Sequence, residues 1–237
     1  QRGQIEVANG GIAMNDEACV YYDMIIDQFA LGQQWLKETF NYYPKQGWSI
    51  DPFGHSKTHA WIVAKMGFDS HFIERVHVFA VQARKNSKTM NFLWKPAPGM
   101  DETIFTEFAD YQYGEQYRMP FDTYFNRVLD SRKTYYLTHN LHHHWGGDFA
   151  WRDGNLSKVL NFIDELNKIQ NVNASWGSFG TYISKVHDDY VNNGYKGTNT
   201  NKPLSFFEDD YFPYMTYVDR VWTGFYTSKP WLKGLIF

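Results

Sequence analysis

The stretch "GWSIDPFGHSKTH", residues 47–59, places a carboxylate, a rigid turn and two imidazoles within nine residues of one another. Asp51 precedes Pro52, which forces extended backbone on it, and Gly54 then permits a tight turn into a helix beginning near His55 or Ser56. A carboxylate so placed projects from the carboxyl edge of a strand. His55 and His59 stand four apart and share a helix face, so with Asp51 they are three donors of the kind zinc takes. The plainer readings are a helix-capping Asp51 and a partly buried His59 beside Trp61.

A second carboxylate, Asp148, follows Gly146-Gly147, where the glycines let backbone or ligand approach closely. Asp51 and Asp148 make a plausible pair for glycoside hydrolysis, in which one carboxyl protonates the leaving oxygen and the other attacks or activates water. Arg75 is placed to hold a carboxylate ionised or to bind a sugar hydroxyl; a structural ion pair is the alternative. The run His142-His143-His144 reads as strand, with 142 and 144 on one face and 143 on the other, which suits packing better than one metal. His187-Asp188-Asp189 reads as a solvated helix face.

The elements that must position these groups follow from periodicity. Tyr22, Ile25, Ile26 and Phe29, extended by Leu36 and Phe40, predict a helix over 16–40 that Gly32 splits. Residues 46–51 read as a strand, 56–66 as a helix stopped by Gly67, and 70–76 as a strand. From 77 to 120 the chain has no clear period and reads as a hairpin or long excursion. Helix pattern returns at 121–133, 157–170 and 178–193; strands are expected in "IEVANGG", before Asp148 and in "VNASWG", and residues from 203 on read as aromatic loop. Strand–helix alternation argues for an α/β domain with a mostly parallel sheet, in which functional groups sit where strands end. Asp51, Arg75 and Asp148 all fall there.

Composition narrows the classes. With 19% aromatic and 21% charged residues the 237-residue chain buries a substantial core and reads as a single domain. A net charge of −3 without a basic block argues against nucleic acid as a partner, and no apolar run is long enough for a membrane span. A lone Cys19 excludes an internal disulfide or a cysteine-rich zinc site. The sequons at Asn155 and Asn173 are compatible with a secretory route. No phosphate-binding glycine loop and no Gly-x-Ser-x-Gly elbow occurs, so nucleotide-binding and serine-hydrolase classes fall.

"GWSIDPFGHS" resembles the signature of the retaining α-mannosidases of glycoside hydrolase family 38, the lysosomal and Golgi type. The resemblance extends through "GQIEVANGGIAMNDEA", "MGFDSHFIERV", "GGDF" and "DDYFPYMTYVDRVWTGFYTSKPWLK", nearly the whole chain. It implies that Asp51 is nucleophile and zinc ligand, that Asp148 is the acid/base, and that Phe53, Arg75 and Tyr124 line the site. It further implies a seven-stranded (β/α) barrel, zinc as cofactor, terminal mannose of N-glycans as substrate and a lysosomal or other secretory-pathway location. The family's zinc also takes a His-x-Asp pair upstream of residue 1 and a histidine downstream of residue 237; His187-x-Asp189 has the spacing in the wrong place. The expectation is therefore an incomplete catalytic domain, completed by segments of the same precursor and inactive by itself. Two other readings stay open: a zinc polysaccharide deacetylase using Asp51, His55 and His59, and an inactive glycan-binding domain.

Overall fold

The structure, a computed structural model, describes residues 3–96, 99–109, 120–150, 152, 157–192 and 203–236. The chain divides into two compact units, one of Gln1–Phe108 with Leu204–Phe237 and the other of Ala109–Pro203.

In the first unit the strand–helix alternation predicted for its amino-terminal part is present. Helix α1 (Tyr22–Phe40) is followed by strand β1 (Gln46–Ser49), α2 (Lys57–Lys65), β2 (Ser70–Ile73) and α3 (Val78–Ser87). Strands β3 (Asn91–Trp94) and β4 (Ile104–Phe108) come next, and the returning chain adds β5 (Ser205–Phe207). The sheet order is β1-β2-β4-β3-β5. Strands β1, β2 and β4 run parallel; β3 is antiparallel to β4, and β5 parallel to β3. The 77–120 excursion thus contains a real hairpin, and part of the aromatic tail supplies a strand. A ribbon of β6 (Met215–Tyr217) and β7 (Arg220–Val221) and two short helices, α8 (Gly224–Thr227) and α9 (Pro230–Ile236), complete the unit. Among the described residues this mixed α/β sheet is open, with edges at β1 and β5; the expected closed seven-stranded barrel is not formed by them.

Local chemistry explains where the elements begin and end. The first helix starts at Tyr22 rather than at 16 because the Asp16 carboxylate accepts hydrogen bonds from the amides of Ala18 and Cys19, offering the backbone a turn instead of a helix. It then runs unbroken to Phe40, burying Ile25, Phe29, Gly32 and Leu36 as one stripe. Gly32 does not split it: a Cβ there would meet the Gly10 carbonyl oxygen at 2.3 Å, so the glycine admits the Gly10-Gly11 turn. Helix α2 is capped by Ser56, whose hydroxyl accepts from the Thr58 amide. It ends in a Schellman motif, Phe68 N–H to Val63 O and Gly67 N–H to Ala64 O, with Gly67 at φ +77°, as its type and position predict.

"IEVANGG" forms no strand. Asn9 adopts φ 59° and meets β1 with backbone and side chain together: its N–H donates to the Gln46 carbonyl at 2.8 Å, its Nδ2 to the Trp48 carbonyl at 2.5 Å, and its Oδ1 accepts from the Trp48 amide at 2.7 Å. One residue thereby covers this edge of β1. Both faces of the sheet carry buried aromatic side chains, with Phe72, Phe92, Trp94 and Phe108 fully buried. Each such side chain contributes about 1.5–3 kcal/mol.

The second unit is helical where described: α4 (Phe121–Tyr124) passes through a π-helical turn (Phe125–Leu129) into α5 (Asp130–Arg132), with α6 (Ser157–Asn167) and α7 (Phe179–His187) following. A further π turn, Asp188–Asn192, extends α7. Residues 172–177 form no strand, and 140–147 reach Asp148 without a ladder. No helix among the described residues is long and apolar enough to cross a membrane.

Candidate active site

Asp51 lies two residues past the end of β1, and Arg75 two residues past the end of β2. The strands are parallel neighbours with Ser49 opposite Ile73, so continuing that register sets Asp51 beside Arg75 at the carboxyl edge of the sheet. There the Arg75 guanidinium is ion-paired with the Asp51 carboxylate. Asp51 remains open, with its side chain 46% exposed, while Arg75 is 15% exposed. The backbone is tied at the same place: the Gly54 amide donates to the Arg75 carbonyl at 3.0 Å, and Gly54 turns at φ +95°, as expected.

Aromatic rings support this pair. The Arg75 guanidinium lies 5.0 Å from the Phe53 ring centre and 5.9 Å from that of Trp222. Phe53 packs on Trp222 at 5.1 Å and edge-on to Phe225 at 5.3 Å. Tyr214, packed on Trp222 at 5.4 Å, also hydrogen-bonds Arg75; burial pushes its hydroxyl pKa up, partly offset by that guanidinium. Trp222 and Tyr214 carry no chemistry motif. Their only signal in the sequence is the aromatic density of the 203–236 tail.

The other expected site residues lie in the second unit. Asp148 is exposed and opens the turn that follows Gly147, with the Ala150 amide bonded to the Gly147 carbonyl. Tyr124 is 2% exposed and packs edge-on against Phe162 at 5.2 Å and against His143 at 5.2 Å, so it is core of its unit rather than an open sugar platform. The histidine run keeps the expected alternation without a strand. His142 packs on Phe179 and Tyr182, whereas His143 turns toward Tyr124 and Trp145 and accepts from Arg132 at 2.9 Å. Of the sequons, Asn173 is exposed and Asn155 lies outside the described residues.

His55 and His59 do not join Asp51. They turn into the interior of the first unit and meet Glu17 and His71. His55 Nδ1 donates to Glu17 Oε1 at 2.9 Å, and Glu17 Oε2 accepts from the Ser56 amide at 2.7 Å. The His59 and His71 ring centres are 5.4 Å apart. Ligand atoms of Glu17, His59 and His71 lie within 4.8 Å of one another, the grouping among the described residues fit to hold a metal ion. Burial pushes the Glu17 carboxyl up, but the charges of His59 and His55 and the His55 hydrogen bond outweigh it and hold the group at about 2. Burial lowers His59, and lowers His71 further, below the ordinary imidazole range. The deacetylase arrangement of Asp51, His55 and His59 is therefore not formed. Asp51 itself joins no three-donor group among the described residues, so its surroundings on this chain do not fit a zinc ion by themselves.

A parallel-stranded α/β sheet with a carboxylate and an arginine at its carboxyl edge, above aromatic rings, has the build of an α/β enzyme domain. The chain belongs to glycoside hydrolase family 38: the family's N-terminal domain matches residues 1–217. The lysosomal alpha-mannosidase of Dictyostelium discoideum is 33% identical over 263 residues, covering 100% of this chain and 25% of that protein. The lysosomal alpha-mannosidase of Homo sapiens is 28% identical over 261 residues, covering 98% and 25%. An alpha-mannosidase of Canavalia ensiformis is 31% identical over 255 residues, covering 96% and 25%. The chain thus spans about a quarter of the length of the curated relatives it matches. In fold it is similar to the crystal structure of an alpha-mannosidase from Enterococcus faecalis, with a TM-score of 0.65, 13% identity, and coverage of 85% of this chain and 22% of that one.

Proposed function

We propose that this chain carries the nucleophile half and the acid/base of a retaining exo-α-mannosidase acting on terminal α-linked mannose of N-glycans. The observation that supports it most is the Asp51–Arg75 pair at adjacent parallel strand ends, with Asp51 open to solvent and Arg75 over Phe53 and Trp222, in a family 38 domain. Asp51 attacks the anomeric carbon, and Asp148 gives a proton to the departing glycosidic oxygen. Asp148 then takes a proton from the water that cleaves the glycosyl–Asp51 ester. Arg75 orients the Asp51 carboxylate, and the ring of Phe53 faces the apolar side of a pyranose. The Tyr124 ring, packed into core, is not among the sugar contacts.

Asp51 and Asp148 belong to different compact units, and double displacement requires their carboxyls about 5–5.5 Å apart in the assembled site. Closure of the sheet into a seven-stranded barrel, and any zinc at Asp51, call for strands and ligands beyond the described residues. The names of the relatives favour a lysosomal or other secretory-pathway location.

The test is hydrolysis of an aryl α-mannoside by the longest polypeptide that carries this sequence, with the anomer of the first-formed mannose read by NMR. Retained configuration, plus a mass adduct on the Asp51 peptide after treatment with a fluorinated mannosyl fluoride, is the expected result. Inverted mannose overturns the mechanism. Glycan binding without turnover, surviving Asp51→Asn, establishes an inactive lectin-like domain instead.

A further inference from the structure

We propose that Glu17, His59 and His71 form a second, closed metal site that takes zinc, separate from Asp51 and serving the fold rather than the reaction. Two imidazoles and one carboxylate are a donor set that suits zinc, whereas magnesium and calcium prefer oxygen ligands throughout. Around tetrahedral zinc, with bonds of about 2.1 Å, ligand atoms stand roughly 3.4 Å apart. The present 4.8 Å limit therefore closes with side-chain adjustments on the order of 1 Å.

The burial pattern is what calls for a ligand. His59 is 1% exposed and His71 fully buried, and neither ring has a hydrogen-bond partner at Nδ1 or Nε2. Buried polar atoms in native proteins are almost always satisfied, so four orphaned nitrogens on two adjacent rings are not explained by packing alone. An apolar core at these positions would avoid that penalty entirely.

The surroundings are shaped for the rings. His71 on β2 sits opposite Gly47 on β1, and a Cβ on Gly47 would come within 2.4 Å of His71 Nδ1. Any other residue at 47 pushes His71 off its position. Phe29 of α1 stands 6.0 Å from the His59 ring and walls the cluster on the helix side. Glu17 is fixed from behind by His55 Nδ1 and the Ser56 amide, the kind of outer contact that orients a metal-binding carboxylate. His55 Nε2 is itself buried and without a partner.

An ion there pins three segments remote in sequence: the turn at 16–19, α2 and β2. Asp51 lies on the turn that leads into α2 and Arg75 follows β2, so the ion would brace the two elements that flank the Asp51–Arg75 pair. The inference stands apart from the glycosidase reading, since it concerns metal content and stability and not turnover.

The test uses the 237-residue chain, stripped with a chelator at neutral pH and then dialysed against micromolar zinc. Wild type and Asp51→Asn are each expected to retain about one zinc per chain and to melt at higher temperature with zinc than without. Cobalt in its place is expected to give the intense visible absorption of a tetrahedral ion. His71→Phe, which fills the space without nitrogen, and His59→Gln are expected to lose affinity by at least about 100-fold and to melt alike with and without zinc. Should His71→Phe fail to fold by circular dichroism, His59→Gln decides. The proposal is overturned if wild type retains no zinc, if a folded His71→Phe or His59→Gln chain binds it as wild type does, or if Asp51→Asn abolishes binding.

Discussion

Arg75 reaches Asp51 across two parallel strands in register, each residue two positions beyond the last paired residue of its strand. Neither partner is placed by a loop of its own choosing. The sheet sets the separation, and the Gly54-to-Arg75 backbone bond fixes the turn that follows Asp51.

From this comes the first expectation. In the longest polypeptide that carries this sequence, Asp51→Asn removes the proposed nucleophile and is expected to lower kcat by at least about 10³-fold. Arg75→Lys keeps the charge but loses the planar fork and its stacking on Phe53 and Trp222, and lowers kcat/KM by on the order of 10²-fold. Steady-state rates on an aryl α-mannoside measure both. Wild-type kinetics for Arg75→Lys would show that the pair is structural.

Asp148 is tested by leaving-group dependence. General acid help is worth about 10²–10⁴-fold for a poor leaving group and little for a good one. Asp148→Ala should therefore lose most activity on a mannobioside, much less on a dinitrophenyl mannoside, and regain rate with azide. Equal losses on both substrates would remove Asp148 from the acid role.

What the sequence revealed, and what it hid, divides by range. The elements α1, α2, β1 and β2 and the placing of Asp51 and Arg75 were legible because period, proline and glycine act locally. The strand expected before Asp148 was not formed: His142 finds its neighbours in Phe179 and Tyr182 of α7 rather than in a ladder. Asn9 replaced a strand by its own N–H and side-chain amide, set by a left-handed backbone that alternation cannot disclose. The Glu17–His71 meeting was invisible for a different reason. The two residues are 54 positions apart, Glu17 was expected in the first turn of a helix that in fact begins only at Tyr22, and His71 sits in a strand buried at every position. Only the pairing of β1 with β2, and the empty face of Gly47, brings that ring to His59.

Acid stability offers a further check, and its sign follows from His143. Burial first, then the charge of Arg132 and of His144 and His142, holds His143 well below the ordinary imidazole value. The unfolded chain therefore takes up this proton at higher pH than the folded one. Its contribution is fully present above about pH 6.5 and is lost as pH falls from there toward the folded value, at no more than about 1.4 kcal/mol per pH unit for one proton. His143→Gln, which still offers Arg132 an acceptor, should flatten the decline of the urea midpoint between pH 7 and pH 5. An unchanged slope would mean that His143 is not a group that titrates on unfolding.

The last expectation concerns Arg84, whose charge is carried into the aromatic core. Its guanidinium lies 3.8 Å from the Phe92 ring centre and also faces Phe108 and Phe207, while Nε donates to the Tyr211 hydroxyl at 2.9 Å and an NH group to the Thr89 carbonyl at 3.0 Å. Burial lowers the Arg84 pKa, and burial raises that of Tyr211 despite the neighbouring cation. Tyr211→Phe strands a desolvated N–H and should cost about 1.5–3 kcal/mol, the range for hydrogen bonds to charged groups. Arg84→Met removes the charge as well as the donor, so adding Tyr211→Phe to it should cost much less than Tyr211→Phe costs alone. Urea unfolding of the two single variants and the double variant gives the coupling, expected to exceed about 0.5 kcal/mol. Additive losses would mean that the Tyr211 hydroxyl is not what satisfies the buried guanidinium.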